Sequence, residues 1–276
     1  WALGKDPNAE DMPLWIAPDK KVDLPKMEAC MRDHYEGTPL SLDKDIAQGI
    51  WDSPYRPTPL KFEVDGKQYF NERPISTQQT GFSYIAQLRS WLPREIGGIL
   101  WFGNDDGNMV AYVPIYCSNT ERAECFNTPG ADAVTFSDKN AFWVCNWVSN
   151  MVYPRYSQLF PALKEVRDSL DNAFLAAQKG VEAKAEALYA TDKAAAVKYL
   201  NDYSIQKSNE MIARWRELAI HLIVKFNDMT VKPEKDGKFL RTSTGLGERV
   251  KRTGYSDYFK RELVKQTGDK FAVPNK

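Results

Sequence analysis

The spacing of apolar residues changes once along this chain, near residue 137. Before that point, short apolar runs alternate with turn residues, and after it apolar residues recur at three- and four-residue steps. Alternation is typical of β-strands, and the three-to-four spacing is typical of amphipathic helices. An order of strands first and helices after predicts an α+β fold.

The first predicted strands form a hairpin. Residues 61–64 and 67–70 flank Asp65-Gly66, which is a frequent two-residue hairpin turn. Residues 80–88 then alternate, with Phe82, Tyr84, Ala86 and Leu88 on one face and Ser83, Ile85 and Gln87 on the other. This alternation predicts a strand in a sheet that is buried more on one side than on the other.

The next predicted strand is continuous in its apolar character. Residues 98–103 form an apolar run bounded by glycines, which predicts a fully buried strand. Residues 104–108 contain Asn, Asp and Gly and predict a turn, and residues 109–116 predict the return strand. Because Pro114 cannot donate a hydrogen bond to a strand ladder, we expect it at an edge or a bulge.

Helices are predicted before and after these strands. Residues 26–36 predict a short helix, and residues 139–153, 156–177 and 179–227 predict three longer ones. In the last of them, apolar residues recur along one face, which predicts packing of that face on a core: Met211, Trp215, Leu218, Leu222 and Phe226.

The same patterns suggest a division of the chain. We expect a β-rich half over residues 1–155, and a helical region with a C-terminal tail over residues 156–276. The tail, residues 228–276, is charged and contains glycines, which predicts a surface segment. We expect the two parts to pack together as one domain.

Composition excludes several classes of protein. The 276 residues are 43% hydrophobic and 12% aromatic, which is wrong for a disordered chain. Lys+Arg and Asp+Glu both number 37, so the net charge is zero and we expect no nucleic-acid partner. The sequence contains no apolar run near the ~20 residues that cross a bilayer, so we expect no membrane span. Trp1 stands where an initiator Met would, which indicates processing or proteolysis.

The cysteines allow several interpretations. Cys30, Cys117, Cys125 and Cys145 include no CxxC pair, and the sequence has two histidines, so we expect neither a zinc site nor another cofactor. Cys117 and Cys125 could close a small disulfide loop in an exported protein or could be buried free thiols. Cys30 and His34 are four residues apart on a predicted helix, so they form a conceivable nucleophile–base pair. Their neighbours instead favour Cys30 in the core and His34 on the surface.

Two polar segments are candidate sites. Asp105-Asp106 could ligate calcium, although ordinary turn chemistry is the favoured interpretation, because a calcium loop needs more spaced ligands. Residues 73–81 place hydroxyl and amide side chains just before a predicted strand. Such groups can hold a peptide backbone, although a polar loop that caps its own turns is the favoured interpretation.

Several segments occur along the chain in a characteristic order: residues 31–38, Arg73-Pro74-Ile75-Ser76, residues 79–89, Leu92-Pro93, residues 97–103, Pro114-Ile115-Tyr116 and the helix from Phe142-Trp143 to Tyr153. In the order and spacing of these segments, the sequence resembles bacterial cysteine dipeptidases related to the secernins. The similarity covers residues 28–160 well and the helical remainder loosely.

The resemblance implies an αββα N-terminal-nucleophile (Ntn) hydrolase sandwich, of which this chain supplies the second half followed by a long helical C-terminal region. Members of the family use an N-terminal cysteine whose thiolate attacks the peptide carbonyl, while the free α-amino group acts as base. Here residue 1 is Trp, and none of the four cysteines has the family's Cys-Thr context. The resemblance therefore implies a C-terminal portion without its nucleophile, inactive alone.

Candidate site residues follow from strand position within the resembled fold. Asn104 or Gln79 would donate hydrogen bonds to the substrate or its oxyanion, with Thr80 beside them. Asp105 would pair with the amino terminus of a dipeptide, and Arg73 with its carboxylate.

The expected partners are a dipeptide and the N-terminal portion of the same precursor, with a homo-oligomer also possible. We expect an exported bacterial protein, periplasmic or extracellular. The competing hypothesis is a non-catalytic binding or interaction module.

Overall fold

The computed structural model describes residue 6, residues 8–245 and residues 250–274; Trp1 lies outside the described residues. The helices are α1 (Leu24–Met31), α2 (Arg94–Gly97), α3 (Ala141–Val152), α4 (Tyr156–Tyr189), α5 (Lys193–Phe226) and α6 (Asp257–Thr267). The strands are β1 (Lys61–Val64), β2 (Lys67–Phe70), β3 (Phe82–Leu88), β4 (Gly98–Asn104), β5 (Val113–Tyr116), β6 (Thr230–Val231), β7 (Glu234–Lys235), β8 (Lys238–Phe239) and β9 (Lys251–Arg252). This mixture of helices and antiparallel strands confirms the predicted α+β class.

A three-stranded antiparallel sheet of order β3-β4-β5 occupies the middle of the fold. Ile85 lies opposite Trp101, and Trp101 lies opposite Pro114. The side chains on one face of the sheet are buried in a core shared with α3, α4 and α5. The long helices therefore cover one face of this sheet.

The other face of the sheet is largely uncovered by the described residues. Phe82, Tyr84 and Leu88 on β3 are 59%, 51% and 75% exposed. Leu100 and Phe102 on β4 point the same way and are partly exposed. One-sided burial of β3 is thus confirmed, whereas full burial of residues 98–103 is wrong, since every second residue faces the uncovered side.

The hairpin and the edge proline are also confirmed. β1 pairs with β2 around Asp65 and Gly66, whose φ angles of 51° and 75° are both positive, as a primed hairpin turn requires. β5 is an edge strand, which tolerates Pro114. The return strand is shorter than predicted, because Gly107–Met109 forms a 3₁₀ turn before it.

The helix boundaries differ from the prediction at two places. The break between the long helices lies at residues 190–192, not near residue 178, because the Asp192 carboxylate caps α5 by accepting from the Ala195 amide at 3.0 Å. α1 ends at Met31, so residues 32–36 are not helical. The predicted surface tail contains α6 and short strands. In the described part of the chain, no helix has the length and apolar character that a bilayer crossing requires.

Candidate functional site

The start of β3 and the end of β4 meet at one edge of the central sheet. Phe82 lies opposite Asn104, and the Asp105 amide donates to the Gly81 carbonyl at 2.8 Å. The ladder therefore brings the segment around Thr80 next to the turn that follows Asn104. Four of the five predicted site residues lie at or next to this edge: Gln79, Thr80, Asn104 and Asp105.

Asn104 ends β4 on the uncovered face of the sheet. Its side chain is partly exposed, yet its Oδ1 atom is buried and has no hydrogen-bond partner among the described residues. A buried polar atom without a partner costs about 1–3 kcal/mol. Asn104 thus offers an unused acceptor at the edge of the sheet.

Asp105 turns away from that face and into the helical layer. Its side chain is fully buried, and its carboxylate accepts from Ser149 Oγ at 2.7 Å and from Asn146 Nδ2 at 3.4 Å. Burial, reinforced by the neighbouring charge of Asp106, raises the pKa of Asp105 to about 7. A carboxylate held in this way is not accessible to a substrate ammonium group, so the pairing expected of Asp105 is corrected to an anchoring role.

Asp106 anchors the same turn on its other side. Its carboxylate accepts from Tyr55 Oη at 2.5 Å, from Tyr153 Oη at 3.4 Å, from the Asn108 amide at 3.1 Å and from the Ser76 hydroxyl. Apart from the Asn108 amide, which belongs to the turn itself, these donors come from three separate segments of the chain. Asp105 and Asp106 thus stabilise the turn by hydrogen bonds, which is the kind of role that the sequence analysis favoured for them.

The loop before β3 is ordered by its own hydrogen bonds. The Thr80 amide donates to the Thr77 carbonyl at 3.0 Å, and the Thr77 hydroxyl donates to the Gln79 side chain. Gln79 is exposed and Thr80 is partly buried. Arg73 is exposed further back on this loop, where the Tyr35 hydroxyl donates to its carbonyl at 2.7 Å. Gln79 and Thr80 therefore lie at the sheet edge, while Arg73 lies on the loop that leads to it.

Buried charged side chains also hold the turn that follows Asn104. Arg32 donates to the Gly107 carbonyl at 3.0 Å and to Asp171 at 2.7 Å, and Arg167 donates to the Asn108 carbonyl at 2.7 Å. Burial, together with the nearby charge of Asp171, raises the pKa of Glu28, which faces Arg32, to about 7. The segment after Asn104 is thus held by Arg32, which directly follows α1, and by Arg167 on α4.

The sequence analysis missed these supporting residues. Arg167 and Asp171 are four apart on the buried face of α4, between Leu163 and Phe174. Charged residues on an otherwise apolar helical stripe need buried partners, so this pattern was a usable signal. Ser149 on α3 carried no comparable signal, since serine is common on many helix surfaces.

Two of the four cysteines lie in buried settings that disfavour a thiolate. Thiols of all four are free, with Cys117 exposed and Cys125 and Cys145 buried, so the Cys117–Cys125 disulfide is not formed. Burial raises the pKa of the Cys125 thiol to about 11 and that of Cys145 well above its usual range. A raised pKa disfavours the reactive thiolate.

The Cys30–His34 pair loses its structural basis. His34 lies beyond the end of α1 and is fully buried, so its expected surface position is wrong. Its ring packs edge-on against Tyr55, with 4.8 Å between ring centroids, and Nδ1 lies 3.1 Å from Glu36 Oε1. Cys30 is only partly buried. His34 therefore packs against Tyr55, whose hydroxyl donates to Asp106 in the turn.

Comparison with known proteins agrees with the resemblance drawn from the sequence. A family model described as Peptidase family C69 matches residues 2–169. The chain is also similar to a protein of Streptococcus pyogenes serotype M1 named "Probable dipeptidase B", with 23% identity over 219 residues, 79% of this chain and 41% of that protein. The chain thus spans about two fifths of the length of this relative. Because the family match covers more than half of the chain and includes the whole central sheet, the chain belongs to peptidase family C69.

Proposed function

We propose that this chain is the C-terminal portion of a cysteine dipeptidase of the Ntn-hydrolase kind, whose nucleophile lies in an N-terminal portion outside the chain. Membership of peptidase family C69 and similarity to a protein named a dipeptidase support the activity. The proposed substrate is a dipeptide. Burial raises the pKa of the Cys125 and Cys145 thiols, which speaks against a nucleophile at these two positions.

The observation that carries this proposal is the uncovered face of the central sheet. Large apolar side chains at Phe82, Tyr84 and Leu88 remain exposed while the opposite face is fully packed. Exposed apolar surface of this kind marks an interaction site, since burying it is favourable by about 25 cal/mol per Å². In the proposed enzyme, a sheet of the N-terminal portion covers this face and completes an αββα sandwich.

Asn104 is the proposed link between the two portions. Its side chain lies on the uncovered face, and its Oδ1 is a buried acceptor without a partner among the described residues. The α-amino group of an N-terminal cysteine, or a backbone amide beside it, is the donor that this acceptor needs. The Nδ2 group of the same side chain is then oriented to donate to the substrate oxyanion.

The proposed reaction needs no group beyond the peptide, the cysteine and water. The α-amino group takes the thiol proton, and the thiolate attacks the dipeptide carbonyl carbon to form a tetrahedral oxyanion. Collapse breaks the C–N bond, the leaving amine receives the proton, and a thioester remains. Water then hydrolyses the thioester and regenerates the thiol.

The remaining candidates take distinct proposed roles. Gln79 and Thr80, at the start of β3, hold the peptide by hydrogen bonds, and Arg73 pairs with its carboxylate. Asp105 acts through Asn104, because its anchored turn sets the end of β4. It is therefore a positioning residue.

The test uses the complete gene product that contains this chain. Mass spectrometry of its N terminus is expected to show a cysteine exposed by processing, and the protein is expected to hydrolyse dipeptides. Asn104→Ala is expected to lower kcat by about 10²-fold, the usual loss for an oxyanion donor. Asn119→Ala, on the loop after β5, serves as the matched control and is expected to retain activity.

Two results would contradict the proposal. One is a complete gene product whose N-terminal half carries no cysteine-led strand and which cleaves no dipeptide; a binding module would then be the better description. The other is dipeptide hydrolysis that survives replacement of the N-terminal cysteine by alanine.

A further inference from the structure

The two outer strands of the central sheet differ in how their outer edges are occupied. On β5, Pro114 has no N–H group, and the Tyr116 amide donates to Ser204 Oγ at 3.3 Å. The Tyr112 amide, just before this strand, donates to Asp171 Oδ1 at 2.9 Å. Side chains of α4 and α5 thus already accept from the donors that a further strand would need. The described sheet is therefore closed on the β5 side.

The outer edge of β3 is open. The Arg89 amide donates to the Gly97 carbonyl at 2.9 Å, and the Asp105 amide donates to the Gly81 carbonyl at 2.8 Å. Hydrogen-bonded pairs alternate with non-bonded pairs along an antiparallel ladder, so every second residue of β3 directs its N–H and C=O groups away from β4. Among the described residues, none of these outward groups has a hydrogen-bond partner. They belong to Phe82, Tyr84, Ala86 and Leu88.

The open edge lacks the features by which free strands usually avoid association. Charged side chains, prolines and bulges protect such edges, and residues 82–88 contain neither a charged residue nor a proline. The seven residues of β3 pair with β4 without a bulge, and all four outward residues are exposed. An apolar edge of this length favours pairing with another strand.

We propose that a strand from the N-terminal portion of the same precursor pairs with β3 and extends the central sheet at this edge. The inference rests on the proposed function, in which that portion covers the exposed face of the same sheet. The open edge and the exposed face adjoin along β3, so one body can occupy both. The relative named a probable dipeptidase is matched over 41% of its length, so a protein of that length contains enough further chain for such a strand.

The edge also defines the strand that fits it. Its backbone is extended alongside the seven residues of β3, and its side chains next to Phe82, Tyr84 and Leu88 are apolar, since they lie on the same face. A second copy of β3 would satisfy the hydrogen bonds, but the exposed face would then remain uncovered on both copies. A strand of the N-terminal portion accounts for both surfaces.

Hydrogen exchange in the complete gene product tests the pairing, with single amides resolved by fragmentation mass spectrometry. The four outward amides of β3 are expected to exchange at least about 10³-fold more slowly than in an unstructured peptide, because each donates to the added strand. The Tyr112 and Tyr116 amides, which donate to helices, are expected to be slow in either case and report an intact sheet. Outward amides within about ten-fold of the unstructured rate would overturn the proposal.

A proline variant separates strand pairing from burial under a covering sheet. Ala86→Pro removes one outward N–H group and no donor of the β3–β4 ladder, and Pro114 already occupies an outward position of this sheet. We expect the Tyr84 and Leu88 amides to exchange at least about ten-fold faster in this variant, while the amides that face β4 keep their rates. Ala86→Ser retains the N–H group and is the matched control, with no change expected. Unchanged rates at Tyr84 and Leu88 would indicate burial without pairing and overturn the proposal. If the ladder amides also accelerate, the wild-type rates decide.

Crosslinking identifies the occupant of the edge. A p-benzoylphenylalanine at position 88 replaces the Leu88 side chain, which is 75% exposed beside the edge. It is expected to crosslink to a peptide of the N-terminal portion within one chain, in a sample whose oligomeric state is recorded by native mass spectrometry. A crosslink between two copies at β3, or slow exchange that is lost when a dimer is diluted, would overturn the assigned occupant.

The outcomes also separate this inference from the proposed reaction. Slow outward amides in a protein that hydrolyses no dipeptide would support the pairing and overturn only the reaction. Fast outward amides in an active dipeptidase would overturn the pairing and leave the reaction standing.

Discussion

The hydroxyl of Ser149 donates to the carboxylate of Asp105 at 2.7 Å, and both side chains are fully buried. The two residues are 44 positions apart, one in the middle of α3 and the other directly after β4. Asp105 has a φ of 76°, a left-handed conformation that aspartate tolerates better than most residues. This contact therefore couples a helix to a strained turn and, through it, to the orientation of Asn104.

Ser149→Ala is expected to destabilise the protein by about 1–3 kcal/mol, because it leaves a buried carboxylate oxygen without its hydroxyl donor. Ser208→Ala is the matched control, since Ser208 is equally buried but donates only to the Ser204 carbonyl within its own helix. Its loss is expected to be well under half as large. Denaturant unfolding of both variants measures the difference in the free energy of unfolding. Equal losses would mean that the Ser149–Asp105 hydrogen bond stabilises the protein no more than the hydrogen bond of Ser208 within its helix.

Asp105→Asn is expected to flatten the dependence of stability on pH. Burial, with the Asp106 charge, raises the pKa of Asp105 from its ordinary 3.8 to about 7. Between these values the folded protein holds a proton that the unfolded chain has lost, so the free energy of unfolding falls as pH rises from about 4 to about 7. Each pKa unit corresponds to about 1.4 kcal/mol, so the decline amounts to a few kcal/mol.

The asparagine removes this titration and preserves the local geometry. It tolerates the left-handed φ, and its amide can donate to Ser149 Oγ while that hydroxyl donates to the Cys145 carbonyl, 3.0 Å away. Unfolding midpoints between pH 4.5 and 7.5 provide the measurement. Part of the slope remains, since the pKa of Glu28 is also raised to about 7. A variant with the full wild-type slope would contradict the assignment.

Gly103→Ala is expected to cost about 1–3 kcal/mol through overpacking. A Cβ atom at this position would lie 2.7 Å from a methyl carbon of the fully buried Val110 and 3.5 Å from the Tyr112 ring. Gly81→Ala is the control, since a Cβ there meets nothing within 4 Å. Thermal unfolding compares them. Val110→Ala combined with Gly103→Ala is expected to recover part of the loss, and additive losses would argue against the steric explanation.

Tyr84→Asp tests whether the uncovered sheet face is packed in the complete gene product. Tyr84 is 51% exposed on β3, and Tyr69 is 41% exposed on the separate hairpin, so Tyr69→Asp is a matched control. A carboxylate under a second sheet would lose its hydration, and we expect Tyr84→Asp to cost at least about 2 kcal/mol more than the control. Equal stabilities in denaturant unfolding would mean that no apolar layer covers this face.

Local sequence determined much of the secondary structure. The Asp65-Gly66 hairpin, the alternation in β3 and the glycine-bounded β4 depend on neighbouring residues, and each was predicted close to its observed position. The break between α4 and α5 was misplaced, because the Asp192 cap depends on backbone geometry that the spacing of apolar residues does not show. The resemblance supplied the enzyme class, which no local pattern contained.

Only the tertiary structure decided how the candidate site is built. Asn104, Gln79 and Thr80 were placed at one sheet edge by strand order, but the burial of Asp105 and His34 depends on residues far away in the sequence. Ser149, Tyr55 and Arg167 approach the turn from three segments, and no spacing rule relates them to it. Hydrogen bonds between distant segments form only once the chain has packed, whereas apolar periodicity is already present in the unfolded sequence.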